Sequence, residues 1–358
     1  MGEPVQTLLY PRASINGDKQ TTSSVLSDQG RYTKPMPDET KPQLFVIGAL
    51  HVDEIATAVE PFVLGESNPV RWTRRVGGVA ANAARAAAFA APHAGINLLA
   101  NCADDGDGAS LVAAMQKTGV DVLAVNLGHA GSGRYSAVVQ PDGEVLVGLA
   151  DVLQAEEISV PVIFDHLSRS ACHTVLFDSN LTAATIDEFT RLQENQRQSS
   201  HNSEQLNYSC NTVMAVSVSP SKALRLVNSL PFLDVLFCNR AEAIALVDAI
   251  GSDTDASTQS MLAALCAQGC SHIVMTDGAK GVYIQSKTKH THIPVKPVPL
   301  SASMNGPGDA LAGATAAQIA AATITHSKLA DAVLQNGIPA AQSVVTGDVS
   351  APDIHPNT

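Results

Sequence analysis

Short apolar runs recur along the chain at 44–47, 97–100, 120–125, 175–177, 213–218, 235–237 and 272–275, and helical stretches lie between them. Runs this short, without apolar and polar alternation, suit strands buried on both faces, as in a parallel sheet covered by helices. The spacing therefore predicts an α/β fold with a doubly wound, mostly parallel sheet. With 45% hydrophobic and 16% charged residues the chain can fill such a core. Residues 1–42, rich in Thr, Ser, Asp, Gln, Lys and Pro, show no period and read as a flexible N-terminal tail ahead of one domain over 43–358.

Extended segments interrupt the alternation twice. The first lies around the turn Gly65-Glu66-Ser67-Asn68-Pro69, with short extended pieces expected at 59–63 and 70–76. The second spans 134–150, where the turn Pro141-Asp142-Gly143-Glu144 joins two apolar stretches in a hairpin pattern. Together they predict a small β lid from about 52–76 and 134–150. The polar run 193–211 lacks apolar spacing and reads as an exposed loop or a helix extension.

Charge and cysteine usage narrow the function classes. Twenty-two basic against 34 acidic residues give a net charge of −12, which disfavours nucleic acid or an anionic membrane as partner. No apolar run reaches the roughly 18 residues of a membrane span. The six cysteines are scattered and lack metal or redox spacing. The first residues carry no basic-then-apolar pattern, so a cytoplasmic protein is expected, with an organelle left open. His290 and His292 could share one strand face, but two imidazoles without a third ligand read as an exposed edge. Arg71, Arg74 and Arg75 form a small basic cluster that reads as holding phosphate or simply solvating the lid.

The most informative local pattern is Asn305-Gly306-Pro307-Gly308-Asp309, a glycine-rich turn running straight into the helical stretch 310–322. Free N–H groups and the positive end of a helix dipole at such a place suit a phosphate or a developing anion. A carboxylate there is ordinarily a helix cap, and the turn alone leaves both readings open. The run 48–53, ending on Asp53, and the pair Gly77-Gly78 before Asn82 are equally ambiguous when each is taken alone.

Taken together, these patterns resemble the ribokinase-like, or PfkB, carbohydrate and nucleoside kinases over roughly residues 44–350. The run 48–53 looks like the family's first strand with its sugar-gripping aspartate, Asp53. Gly77, Gly78 and Asn82 look like its N-terminal signature, and Asn239-Arg240-Ala241-Glu242 matches its N-x-x-E motif. Thr276, Gly278 and Gly281 lie in its nucleotide-loop signature, and Gly306 to Asp309 match its C-terminal one.

The resemblance implies a ribokinase-like fold and an ATP-dependent phosphotransferase acting on a small nucleoside or sugar. It gives Asp309 the part of general base, Gly306 and Gly308 an anion hole, and Asp53, Gly77, Gly78 and Asn82 the acceptor. Thr276, Gly278, Gly281 and Asn336 fall to ATP, and Asn239 and Glu242 to water-mediated Mg2+. It leaves room for a monovalent cation and for a homodimer through the β lid. Pro307 stands where alanine is usual and removes one N–H from the hole.

Within the family the nearest likeness is to pseudouridine kinases. It rests on residues 67–79, on the hairpin 135–151 and on 216–222. His51 and Ala81 depart from their pattern. The expected reaction is therefore pseudouridine to pseudouridine 5'-phosphate. A kinase for a ribose-like sugar or another nucleoside, or a catalytically weak ligand-binding member of the fold, stands as the alternative.

Overall fold

The computed structural model describes residues 43–127, 131–168, 174–199, 210–252, 257–296, 306–320 and 324–346. By internal contacts the chain divides into residues 1–35 and 36–358, and everything described here belongs to the second unit. The expected tail, 1–42, lies outside the described residues, as does Asn305.

The strands are β1 (Gln43–Ile47), β2 (His51–Ala58), β3 (Val70–Gly77), β4 (Gly95–Asn101), β5 (Val120–Val125), β6 (Arg134–Val139), β7 (Val145–Asp151), β8 (Thr174–Asp178), β9 (Thr212–Val216), β10 (Val235–Asn239), β11 (His272–Thr276), β12 (Val282–Ser286) and β13 (His290–Ile293). The helices are α1 (Val79–Ala90), α2 (Gly106–Lys117), α3 (Val160–Leu167), α4 (Ala183–Ser199), α5 (Pro220–Ala223), α6 (Arg240–Ala249), α7 (Thr258–Ala267), α8 (Pro307–Ile319), α9 (His326–Ala332) and α10 (Ile338–Thr346). None of the described helices is long and apolar enough to cross a membrane.

Nine strands form the large sheet in the order β13-β12-β11-β10-β9-β8-β1-β4-β5. From β5 to β11 neighbours run parallel, and β12 and β13 close one edge antiparallel. Successive side chains of each strand enter opposite layers. Leu44 and Val46 pack with α1, α2 and α8, whereas Phe45 and Ile47 pack with the layer of α3, α4, α6 and α7. This two-sided burial is why the apolar runs lack alternation. The chain leaves β1 toward β4 on one side and reaches β8 on the other, so a crevice opens above the carboxyl end of β1.

A second sheet, ordered β3-β2-β6-β7, is built from the two interrupting segments. Its first strand is not where the sequence placed it. The expected piece at 59–63 is a turn: Asn68 Oδ1 accepts from the Val63 N–H at 2.8 Å, and its Nδ2 donates to the Val63 and Glu66 carbonyls. The strand instead begins at His51 and pairs along its whole length with β3, so Asp53 lies on the small sheet and not on the first strand, β1. The polar run from 193 begins as helix, because α4 continues to Ser199 with Arg197 bonded to Asp234 at 2.6 Å.

Candidate active site

Helices α1 and α8 pack so closely that Gly313 lies on the Ala83 carbonyl with no room for a Cβ. Alanine and glycine at the contact bring the two helix N-termini together. Asn82, on the first turn of α1, then reaches Asp309, on the first turn of α8, and its Nδ2 donates to Asp309 Oδ2 at 3.0 Å. Gly306 caps α8 with a left-handed backbone, φ 94°, and a Cβ there would stand 3.3 Å from Asn82 Nδ2. Pro307 takes the first helical position, where its missing N–H costs the helix nothing. The N–H groups of Gly308 and Asp309 remain to face an anion.

Burial pushes the Asp309 carboxyl up to about 7; the Asn82 bond opposes the rise, the neighbouring charges of Asp178 and Glu242 add to it, and Arg85 works against it. A carboxylate at that value changes protonation near neutrality, as a general base should. Asp178, at the end of β8, is fully buried, and burial likewise raises its carboxyl. It accepts the backbone N–H groups of Ala49, Ala80 and Asn180 at 2.9 to 3.0 Å, which ties the turn after β1 to the start of α1. Sequence reasoning passed over Asp178, although a carboxylate closing a buried strand at the carboxyl edge was a readable signal. It also passed over Arg85, a buried arginine one turn below Asn82.

On the small sheet Arg75, Asp53, Tyr135 and Ala150 are register neighbours across its four strands and so share a face. Tyr135 lies over Gly148, where a Cβ would come within 2.6 Å of the phenolic oxygen. Gly77 lies against the Asp53 carboxylate, and Gly78, φ 109°, against the Ala49 carbonyl, each leaving no space for a side chain. His51 Nδ1 stands 3.2 Å from Asp53 Oδ1, out of line for a hydrogen bond. Both atoms are buried and have no hydrogen-bond partner among the described residues. Buried polar atoms left this way favour a ligand that can pair with them.

The residues expected around the nucleotide and metal line the same edge of the large sheet. Asn239 and Thr276 are register partners at the ends of β10 and β11. Asn239 and Glu242 form a capping box at the start of α6, with Glu242 N–H donating to Asn239 Oδ1 at 3.0 Å and Asn239 N–H to Glu242 Oε2 at 2.8 Å. The Ser217 hydroxyl donates to the same Oε2. Both bonds fall on Oε2, so Oε1 could accept from a metal-bound water. The described residues contain no group of three or more His, Cys, Asp or Glu that could cage a metal. The donor set suits Mg2+, which keeps several waters and takes phosphate oxygens, and the crowding of Asp309, Asp178 and Glu242 favours a cation. Gly278 and Gly281, both at positive φ, shape the tight turn after Thr276. Asn336 is half-buried in a π-helical turn, Val333–Gly337, that packs on α8.

A cavity of about 580 Å3 lies between the small sheet and the start of α2 and is lined by Asp105, Asp107, Ser132, Arg134, Ser136 and Asp151 among others. It contains none of the site residues named from the sequence. Arg74 is bonded to Glu54 at 2.9 Å and to Asp107, one of the lining residues, at 2.6 Å. That arginine ties the small sheet to α2. His292 stacks on Tyr283 with centroids 4.4 Å apart, which gives this exposed histidine a packing role, and His290 is half-buried.

The sequence profile of the pfkB family carbohydrate kinases matches residues 41–348. Among curated proteins none matches the chain. A carbohydrate kinase from Agrobacterium tumefaciens has a similar structure, with TM-score 0.66 and 25% identity over 87% of this chain and 98% of that one. A ribokinase from Cryptococcus neoformans, solved with ADP, superposes with TM-score 0.62 and 20% identity over 87% and 98% of the two chains. An adenosine kinase from Sinorhizobium meliloti does so with TM-score 0.63 and 18% identity over 85% and 94%. The fold is ribokinase-like.

Proposed function

Because the chain belongs to the pfkB family of carbohydrate kinases, we propose that it moves the γ-phosphoryl group of ATP to a hydroxyl of a nucleoside or sugar, with Asp309 as general base and pseudouridine as the favoured acceptor. The observation that carries this reading is the bond between Asn82 and Asp309, which joins two sequence signatures 227 residues apart at one pair of helix N-termini. With Oδ2 held by Asn82, Oδ1 of Asp309 is left to take the acceptor's proton as the hydroxyl oxygen bonds to the γ-phosphorus and the bond to ADP breaks. The N–H groups of Gly308 and Asp309 then meet charge on the transferred group, with the left-handed turn at Gly306 aiming them. Asn239 and Glu242 would hold Mg2+ through water, and the ion would neutralise phosphate charge. Thr276, Gly278, Gly281 and Asn336 fall to the nucleotide.

The small sheet serves as the lid over the acceptor. Asp53 Oδ1 and His51 Nδ1 are the unpaired atoms a ribose diol would satisfy. Tyr135, beside Asp53 in the same row, offers a ring face on which a nucleobase can stack, which favours a nucleoside over a simple sugar. A ribose-like sugar would leave that ring unused. All seven residues of the edge strand β7 are exposed, including Val145, Leu146, Val147 and Leu149. A second copy of the lid would cover them, so light scattering should give a dimer mass.

The test is a screen of purified protein with ATP and Mg2+ against pseudouridine, uridine, adenosine, ribose and fructose, read as ADP release with mass identification of the product. Pseudouridine 5'-phosphate as the best product supports the full reading. A different best acceptor keeps the kinase and discards the specificity. Binding of ATP and acceptor without any product favours a ligand-binding member disabled at Pro307.

A further inference from the structure

Arg85 is 7% exposed, although a guanidinium is among the costliest groups to bury. Helix packing does not ask for it, since the residues around it on α1 are alanines. Its Nη2 donates to Asn82 Oδ1 at 3.3 Å, while Asn82 Nδ2 donates to Asp309 Oδ2 at 3.0 Å. Arginine can only donate, and an ionised carboxylate can only accept. The amide between them therefore has one orientation, oxygen toward Arg85 and NH2 toward Asp309. Without the arginine, the amide could turn over and present its oxygen to Asp309. That arrangement pairs with a protonated carboxyl and spoils the base.

The surrounding charges point the same way. The carboxylates acting on Arg85 are Asp309 and Asp53; the groups acting on Asp309 are Asp178, Glu242 and Arg85, of which Arg85 is the cation. Arg75 neighbours Asp53 across the small sheet. Arg85 Nη1 has no partner among the described residues. Arg85 also lines a cavity of about 10 Å3 with Asn82, Ala86, Phe89, Ala310 and Ala340, room for about one water and not for an anionic ligand. The guanidinium is thus directed at the Asn82–Asp309 pair and not at a separate site.

We propose that Arg85 is a positioning residue for phosphoryl transfer: through Asn82 it fixes which Asp309 oxygen is occupied and which is left to take the acceptor's proton. The proposal rests on Asp309 being the base. Two readouts test it across pH 5.5 to 9. One is pseudouridine-dependent ADP release, and the other is the 13C carboxyl NMR titration of Asp309, assigned by its absence in Asp309→Asn. In Arg85→Met both the acidic limb of the rate profile and the NMR midpoint should move up by about one pH unit, a roughly tenfold loss of rate below the limb. The KM values for ATP and pseudouridine should stay within about twofold.

Arg85→Lys, which keeps a donor cation, should restore most of the rate. If Arg85→Met does not fold, Arg85→Leu, which likewise has no donor, takes its place with the same expected upward move. Unmoved midpoints in a folded Met or Leu variant, or equal loss in Lys and Met with a raised KM, overturn the proposal. Wild-type turnover in Asp309→Asn would instead overturn the base assignment itself, whereas an inactive Asp309→Asn beside unmoved Arg85 variants removes only the role of Arg85.

Discussion

Replacing Asp309 with asparagine separates a general base from a residue that only supports the first turn of α8, because the two roles predict different balances of activity and stability. Asparagine keeps the shape at this third helical position and can still accept from the Asn82 amide, so a residue that serves only the helix would lose little activity. A base would lose turnover by about 10²–10⁴ while ATP and acceptor still bind.

Burial raises the Asp309 carboxyl from the ordinary value of 3.8 to about 7, so the folded state holds this proton more tightly than the unfolded chain. Stability from that proton is fully present below about pH 4 and is lost as pH rises through about 7. At roughly 1.4 kcal/mol per pH unit the loss at pH 8 has a ceiling of about 4 kcal/mol, reduced by the solvent that reaches the half-buried carboxyl. Asp309→Asn removes the buried charge, so at pH 8 the variant should melt higher than wild type, with the difference shrinking toward pH 5. Calorimetry at both pH values, beside ADP release at pH 8 and titration of ATP binding, reads every arm. Turnover within about threefold of wild type, or a variant less stable at pH 8, would refute the reasoning.

The other perturbations follow from single contacts. Glu242→Gln should raise the Mg2+ concentration for half-maximal rate while the acceptor KM stays level, and an unchanged Mg2+ dependence would leave Glu242 with its capping box alone. Gly78→Ala puts a methyl group onto the Ala49 carbonyl at φ 109°, so unfolding by urea should show a loss of about 1–3 kcal/mol together with weaker acceptor binding; a variant as stable as wild type would contradict that close approach. Pro307→Ala adds a third N–H at the start of α8 and should raise turnover with little change in KM, and a flat response would show that this position faces no developing charge.

The strands of the large sheet were legible because parallel strands buried on both faces leave uninterrupted apolar runs, and β1, β8, β10 and β11 stand where those runs predicted them. The small sheet was legible as a hairpin at β6 and β7, whose turn carries Pro141, Asp142 and Gly143. Its first strand was not. His51 to Ala58 mixes Asp53, Glu54 and Thr57 among apolar residues, and its extended form is imposed by β3 and β6 on either side rather than by local preference. The place of Asp178 at a strand end was readable, but its bonding role was not. Its three N–H donors come from Ala49, Ala80 and Asn180, and two of these lie far along the chain, so no local pattern announces them.

The glycine turns around Asp309 and Asn82 were visible as motifs, but nothing in either motif states that the two side chains touch. That fact belongs to the helices that carry them. In sequence the alanines of α1 read as a strong helix former. In the fold, Ala83 and Gly313 set how near the helix axes come, and through that distance whether an asparagine on one first turn can reach an aspartate on the other. A larger residue at Gly313 would push the axes apart without touching any residue named for ATP or acceptor, and it would still open the Asn82–Asp309 bond. The alanine content of α1 is therefore part of the site's geometry as much as the signature residues are.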